Sequence, residues 1–175
     1  GFGAEASDAS RLVDVLNATS NKYATDVRQL AEGMKRVAPV AQQMGLSFEK
    51  TAGILTPMIE SFGSGAEAAE AFRTGALKLI DDAEPVRAAL TELSVAQKDA
   101  NGQLRTGEAI LYDVMRAFET TDESQKLYLT SQLVGIDQAP RLIKVFDNLN
   151  GVLNVGRDAL NANGSAQQEV NIRLQ

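Results

Sequence analysis

The chain has 175 residues, enough for one core that buries about 70% of the surface its unfolded form exposes, and its 44% hydrophobic content argues against disorder. Seventeen Lys and Arg against 23 Asp and Glu leave a net charge of −6, interspersed along the chain, which disfavours a nucleic-acid backbone as partner. Neither Cys nor His occurs, which excludes disulfides, thiolate nucleophiles, zinc sites built on those residues and the usual general base near neutral pH.

Apolar residues recur at helical spacing along most of the sequence. Ala9, Leu12, Val13 and Leu16 share one face of a first helix expected over 8–18. The clearest pattern comes next: Val27, Leu30, Ala31, Met34, Val37, Ala38, Ala41 and Met44 follow the i, i+3, i+4, i+7 rule, with Thr25 as candidate N-cap and Gly45 as the C′ residue. Pro39 cannot serve the Lys35 carbonyl, so a bend is expected there. After Ser47, an inward face of Phe48, Ala52, Leu55, Ile59 and Phe62 contains a second proline, Pro57.

Ser64 and Glu67 have capping-box spacing and open a helix that buries Ala68, Phe72, Ala76 and Leu79. Pro85 suits the first turn of a fifth helix carrying Val86, Ala89, Leu90 and Leu93. Residues 95–104 are the only weakly strand-like passage, and Asn101-Gly102 offers positive φ, so a small β-hairpin or a looped excursion is expected. Helices resume over 107–118, with Ile110, Val114, Met115 and Phe118 inward, and over 122–134, opened by a second capping box from Asp122 to Gln125. A further helix over 140–149 carries Leu142, Ile143, Phe146 and Leu149, Gly135 and Gly151 act as helix ends, 152–160 forms one more helix, and Ser165 with Gln168 caps a last one.

The predicted fold is therefore all-α, a compact array of about eight to ten short helices, with neither a 20–50-residue repeat nor a sustained heptad. No apolar run approaches the ~18 to 20 residues of a membrane-spanning helix. The expected organisation is a single helical domain over 1–175, a fragment of a longer polypeptide, with 152–175 extending toward a following helical region.

Four clusters invite a chemical reading. Gly63-x-Gly65-x-x-Ala68 imitates a dinucleotide fingerprint, but a helix precedes it where the mechanism needs a strand, so a bend between helices is the reading taken. Asp99-x-Asn101-Gly102 starts like a calcium loop and then places Gln103, Leu104 and Ile110 where a third oxygen ligand, Gly and Glu belong, so it reads as a turn. Asp81, Asp82 and Glu84 could pair for acid–base work, yet no nucleophile or oxyanion donor accompanies them, and a solvated helix junction explains them. Tyr23, Tyr112 and Tyr128 are too widely spaced for a stacking surface and read as packing residues. No catalytic, cofactor-binding or metal-ligating residue is assigned, and no cofactor is expected.

The order of local motifs carries a resemblance. Asp14-Val15-Leu16, Ser20-Asn21, Ala38-Pro39-Val40, Gly45-Leu46-Ser47 and Gly63-Ser64-Gly65 occur in an order and spacing that resemble the core domain of phage tail tape measure proteins, continued by Leu93-Ser94-Val95, the Asp99-Ala100-Asn101-Gly102 turn, the helix near Leu111 and Gly164-Ser165-Ala166. The family usually has Gly where Ser94 follows Leu93, and often Gly-Thr near Ala69 and Glu70, so the sequence departs there. The resemblance implies a non-enzymatic structural protein of a phage or prophage tail, involved in tail assembly and length determination. It implies contacts with tail tube and tail assembly chaperone proteins, and self-association, in the virion tail and in the host bacterial cytoplasm during assembly. From the charge balance and the lack of a long apolar run, neither nucleic acid nor membrane contact is expected for this segment. A generic helical adaptor for protein partners is the alternative.

Overall fold

A computed structural model describes residues 9–23 and 25–162; the cap expected at Ser165 and Gln168 and the helix after it lie outside the described residues. Among the described residues there are nine helices and no strand: α1 (Ala9–Lys22), α2 (Val27–Met44), α3 (Phe48–Phe62), α4 (Gly65–Leu79), α5 (Glu84–Glu92), α6 (Gly107–Phe118), α7 (Glu123–Val134), α8 (Ala139–Phe146) and α9 (Leu149–Leu160). The all-α expectation holds, and all nine helices contribute buried apolar side chains to one cluster.

That cluster is organised around α3, which packs against α1, α2, α4, α8 and α9. The sequence reading assigned α3 one inward face; the structure buries it on nearly every side, including Thr51, Gly53, Ile54, Thr56 and Met58. Two buried threonines are tolerated because each hydroxyl donates to the carbonyl one turn back, Thr51 to Ser47 at 2.7 Å and Thr56 to Ala52 at 2.8 Å, so neither needs water. Thr19 in α1 and Thr130 in α7 use the same device.

Close approach of backbones lets so many helices surround one. On α4, a Cβ at Gly65 would overlap the Gln29 carbonyl oxygen of α2 and lie 3.1 Å from the Gly33 nitrogen, and the Gly65 N–H donates to Gln29 Oε1 at 2.7 Å. On α3, a Cβ at Gly53 would lie 3.0 Å from both the Gly156 nitrogen and the Val152 carbonyl oxygen of α9. Both crossings are backbone against backbone, with no side chain available to yield. Elsewhere larger residues interlock: Phe118 of α6 meets Phe146 of α8 edge to face, with centroids 5.7 Å apart.

Helix ends explain most departures from the expected boundaries. Asp26, not Thr25, caps α2, its Oδ1 accepting from Gln29 N at 2.7 Å, because Asp26 holds the extended backbone an N-cap requires. α1 continues past residue 18 to Lys22, and from Leu12 onward its buried positions are Asp14, Val15 and Thr19, while Val13 is 56% exposed. Pro39 and Lys35 both lie exposed on α2, which runs unbroken past them, so the carbonyl Pro39 cannot serve faces the solvent side. Ser64 caps α4 through Glu67 N as its spacing predicted, whereas the Asp122 side chain makes no cap bond and only its carbonyl accepts from Gln125 N. The helix expected over 140–149 stops at Phe146, and Gly151 lies inside α9 instead of ending a helix. The 95–104 passage forms no strand: a single antiparallel bridge joins Lys98 and Leu104, and Asp99 Oδ1 accepts from the N–H groups of Asn101 and Gln103 to shape the turn. Only Gly102 of that turn has positive φ.

Two helices end in the same hydrogen-bonded motif. At the end of α2, Gly45 at φ 80° donates to Gln42 O and Leu46 donates to Ala41 O; after α5, Ser94 donates to Thr91 O and Val95 to Leu90 O. Ser94 adopts φ 59°, the only positive φ among described non-glycine residues, at the position where the family resemblance leads one to expect Gly. Lys126, buried on α7, ties that helix to the end of α8 through Asp147 Oδ1 at 2.8 Å and also pairs within α7 with Glu123 Oε1 at 2.7 Å; hydrogen bonds to Asp147 and then Glu123 raise its pKa.

Two predictions follow from the backbone geometry. Gly65→Ala should lose at least about 2 kcal/mol in urea denaturation, because the overlapped atom is backbone, whereas Gly156→Ala, whose Cβ would meet nothing within 4 Å, should be neutral or stabilised by up to about 1 kcal/mol. Equal effects would show that the α2–α4 crossing is not as tight as described. Ser94→Gly should raise stability by about 0.5–1 kcal/mol through relief of the left-handed conformation, a gain of a few degrees in melting temperature; a loss would show that the Ser94 side chain contributes more than its backbone costs.

Candidate docking surface

The clusters singled out in the sequence resolve into structural roles. Gly63 and Gly65 form the turn between α3 and α4, with Gly63 at φ 78° and Gly65 in the α2–α4 contact. Asp99 is occupied by the backbone of its own turn. Asp82 pairs with Arg87 at 2.8 Å, which lowers the pKa of its carboxyl group, and Asp81, Asp82 and Glu84 are all exposed at the α4–α5 junction. Among the described residues, no three acidic side chains group so as to hold a metal ion.

The tyrosines separate. Tyr128 is exposed on α7. Tyr23 follows α1 and donates to Asp158 of α9, while Lys22 reaches the same carboxylate at 2.8 Å, so this acid latches the first helix to the last described one. Burial, and then the hydrogen bond to Asp158, pushes the Tyr23 phenol up to about 12, and Lys22 with Tyr23 holds the Asp158 carboxyl low.

Tyr112 lies in a groove of about 430 Å³ whose walls are α6 and α9 and whose end is Lys50 of α3. On α6, Glu108, Tyr112, Asp113 and Arg116 present one stripe, and on α9 Leu153, Gly156, Arg157 and Leu160 present another. The opposite face of α9, Val152, Val155 and Ala159, is buried, so Leu153 at 44% exposure and Leu160 at 64% form a second apolar stripe with no covering helix among the described residues. Gly156 lines the groove without a side chain. Burial, then the nearby Glu108 charge, raises the Tyr112 phenol to about 12, which keeps it neutral at physiological pH.

Charge in the groove runs against that of the chain. Four cations, Lys50, Arg105, Arg116 and Arg157, face two carboxylates, Glu108 and Asp113, although the chain carries −6. Lys50 pairs with Glu108, and Asp113 is shared by Arg105 at 2.7 Å and Arg116 at 2.9 Å. Arg157 has a neutral partner, Asn154 Oδ1 at 2.8 Å, and its charge also reaches Asp158. The sequence reading passed over this surface because it ranked residues by the core-facing period. The signal was present in the second stripe of α9, at 153, 156, 157 and 160, which repeats the helical spacing on the wrong side of an already amphipathic helix.

The comparisons with known proteins follow the chain through most of these elements. The family model for the phage-related minor tail protein matches residues 1–135. A tape measure protein of Pneumococcus phage Dp-1 is 39% identical over 106 residues, covering 59% of this chain and 9% of that protein. A probable tape measure protein of Escherichia phage P2 is 31% identical over 106 residues, covering 61% of this chain and 13% of that protein. The matched region is thus a small part of either relative's length, and no solved structure matches. With the family model covering well over half of its residues, the chain belongs to the phage-related minor tail protein family.

Proposed function

We propose that this segment is a compact, non-enzymatic module of a phage tail tape measure protein that docks partners during tail assembly instead of serving as part of the extended ruler. The relatives named as tape measure proteins supply the first half of this reading. The all-round burial of α3 carries the second. As one continuous helix the chain would measure roughly 260 Å at about 1.5 Å per residue, yet α9 returns to lie against α3 and a Cβ at Gly53 would nearly touch its backbone. Pulling this segment into a rod would expose Ile54, Leu55, Met58 and the rest of that sheath to water, at roughly 1.5–3 kcal/mol for each large side chain. Its place is then beside the ruler, in a single helical domain, with tail tube and tail assembly chaperone proteins as the partners. It acts in the host bacterial cytoplasm while the tail is built and remains in the virion tail.

Deletion of residues 25–149 from the full-length gene of a phage that can be grown and imaged tests this. The docking reading expects tail assembly or infectivity to fail without a proportional change in length, read by electron microscopy of negatively stained lysates. Viable particles with tails shorter by about 190 Å, the rise of about 125 helical residues, would instead make the segment part of the ruler.

A further inference from the structure

We propose that the α6–α9 groove is a docking site for an acidic amphipathic helix of a partner protein, about two turns of it lying between the two helices. This deepens the docking reading above and rests on it. The shape fits: α6 from Glu108 to Arg116 and α9 from Val152 to Leu160 each supply about 12 Å of wall, and two neighbouring helices form the cradle in which a third packs. The floor fits as well. Tyr112 offers apolar contact, and the missing side chain at Gly156 leaves room for a large apolar residue of the incoming helix. Leu153 and Leu160 stand exposed along the rim, before and after Gly156 on α9, and give an elongated occupant further apolar contact.

The charges select the partner. Asp113 is divided between two arginines and, among the described residues, Arg157 has an amide as its hydrogen-bond partner, so Arg116 and Arg157, on opposite walls, retain capacity for further carboxylates. A helix with leucines on one face and glutamates on both flanks places its acids against these two guanidinium groups and its leucines against the floor. A basic helix would meet an excess of like charge.

The probe is a fluorescently labelled 14-residue peptide with leucines at one helical face and glutamates flanking them, beside the same peptide with lysines in place of the glutamates. Anisotropy with the whole 175-residue chain should show the glutamate peptide binding at least roughly tenfold more tightly than the lysine peptide, with the difference shrinking as salt rises. Gly156→Leu, which fills the floor from a position with no neighbour to strike, and Arg157→Glu, which reverses one wall, should each weaken binding at least roughly tenfold while circular dichroism stays helical. Equal binding of both peptides, or binding undiminished in a folded Gly156→Leu, overturns the inference. Should Gly156→Leu perturb the fold, the Arg116→Glu and Arg157→Glu pair decides by the same criterion.

Two rival occupants have their own readouts. Concentration-dependent dimers in sedimentation velocity that Gly156→Leu abolishes would assign the groove to a second copy and overturn the partner proposal. Tighter binding of a peptide spanning residues 163–175 than of the glutamate peptide would assign it to the chain's own continuation, with the same consequence. Failure of the peptides leaves the docking reading itself to the phage deletion, so the two can fall separately.

Discussion

Everything in this fold depends on how closely backbones approach α3 and its neighbours. A helix of 15 residues can be covered on nearly every side only if the surrounding helices come nearer than ordinary side chains permit, and Gly53 and Gly65 supply that proximity at the α3–α9 and α2–α4 crossings. The consequence is a core of aliphatic, alanine and methionine packing that needs few aromatic residues. Only 5% of the chain is aromatic, and a pair of buried rings, Phe118 with Phe146, joins α6 to α8 away from those tight crossings.

Polar groups inside such a core must be satisfied locally, since the sheath leaves little space for water. The buried threonines do this with their own helix backbones. Lys126 is compensated by two carboxylates, Glu123 on its own helix and Asp147, which pins α7 to the end of α8. The Tyr23–Asp158–Lys22 latch closes the described chain in the same way at its two ends.

Periodicity made the helices legible because their apolar faces are one-sided: most residues the spacing selects in α2, α4, α5 and α6 are buried, whereas Val27, at the first position of α2, is 43% exposed. It failed at α3 because a helix buried all round has no polar face to define a phase, and Thr51, Gly53 and Thr56 read as solvent positions until the threonines' internal hydrogen bonds are seen. It failed at Gly151 because a glycine closes a helix in the left-handed conformation, and Gly151 has no positive φ. The Asp122 box shows the limit of spacing rules, since a side chain can match the pattern and still point elsewhere. The second stripe of α9 is legible in the sequence, but its pairing with α6 is not, because only the fold brings the two helices together.

The core and the groove share one origin. The bare Cα of Gly53 lets α9 seat its backbone, at Val152 and Gly156, on α3, and Gly156 in turn leaves the groove unfilled on its other side. A larger residue at Gly53 would lift α9 and carry Leu153, Arg157 and Leu160 away from Tyr112 and Arg116, widening the groove without altering a single residue that lines it. A docking surface built this way is only as well defined as the packing beneath it. That couples the two halves of the functional reading: a segment drawn out into a ruler would keep every residue of the groove and lose the groove itself, whereas a segment that keeps α9 against α3 presents its two arginines and its apolar floor as one preorganised face.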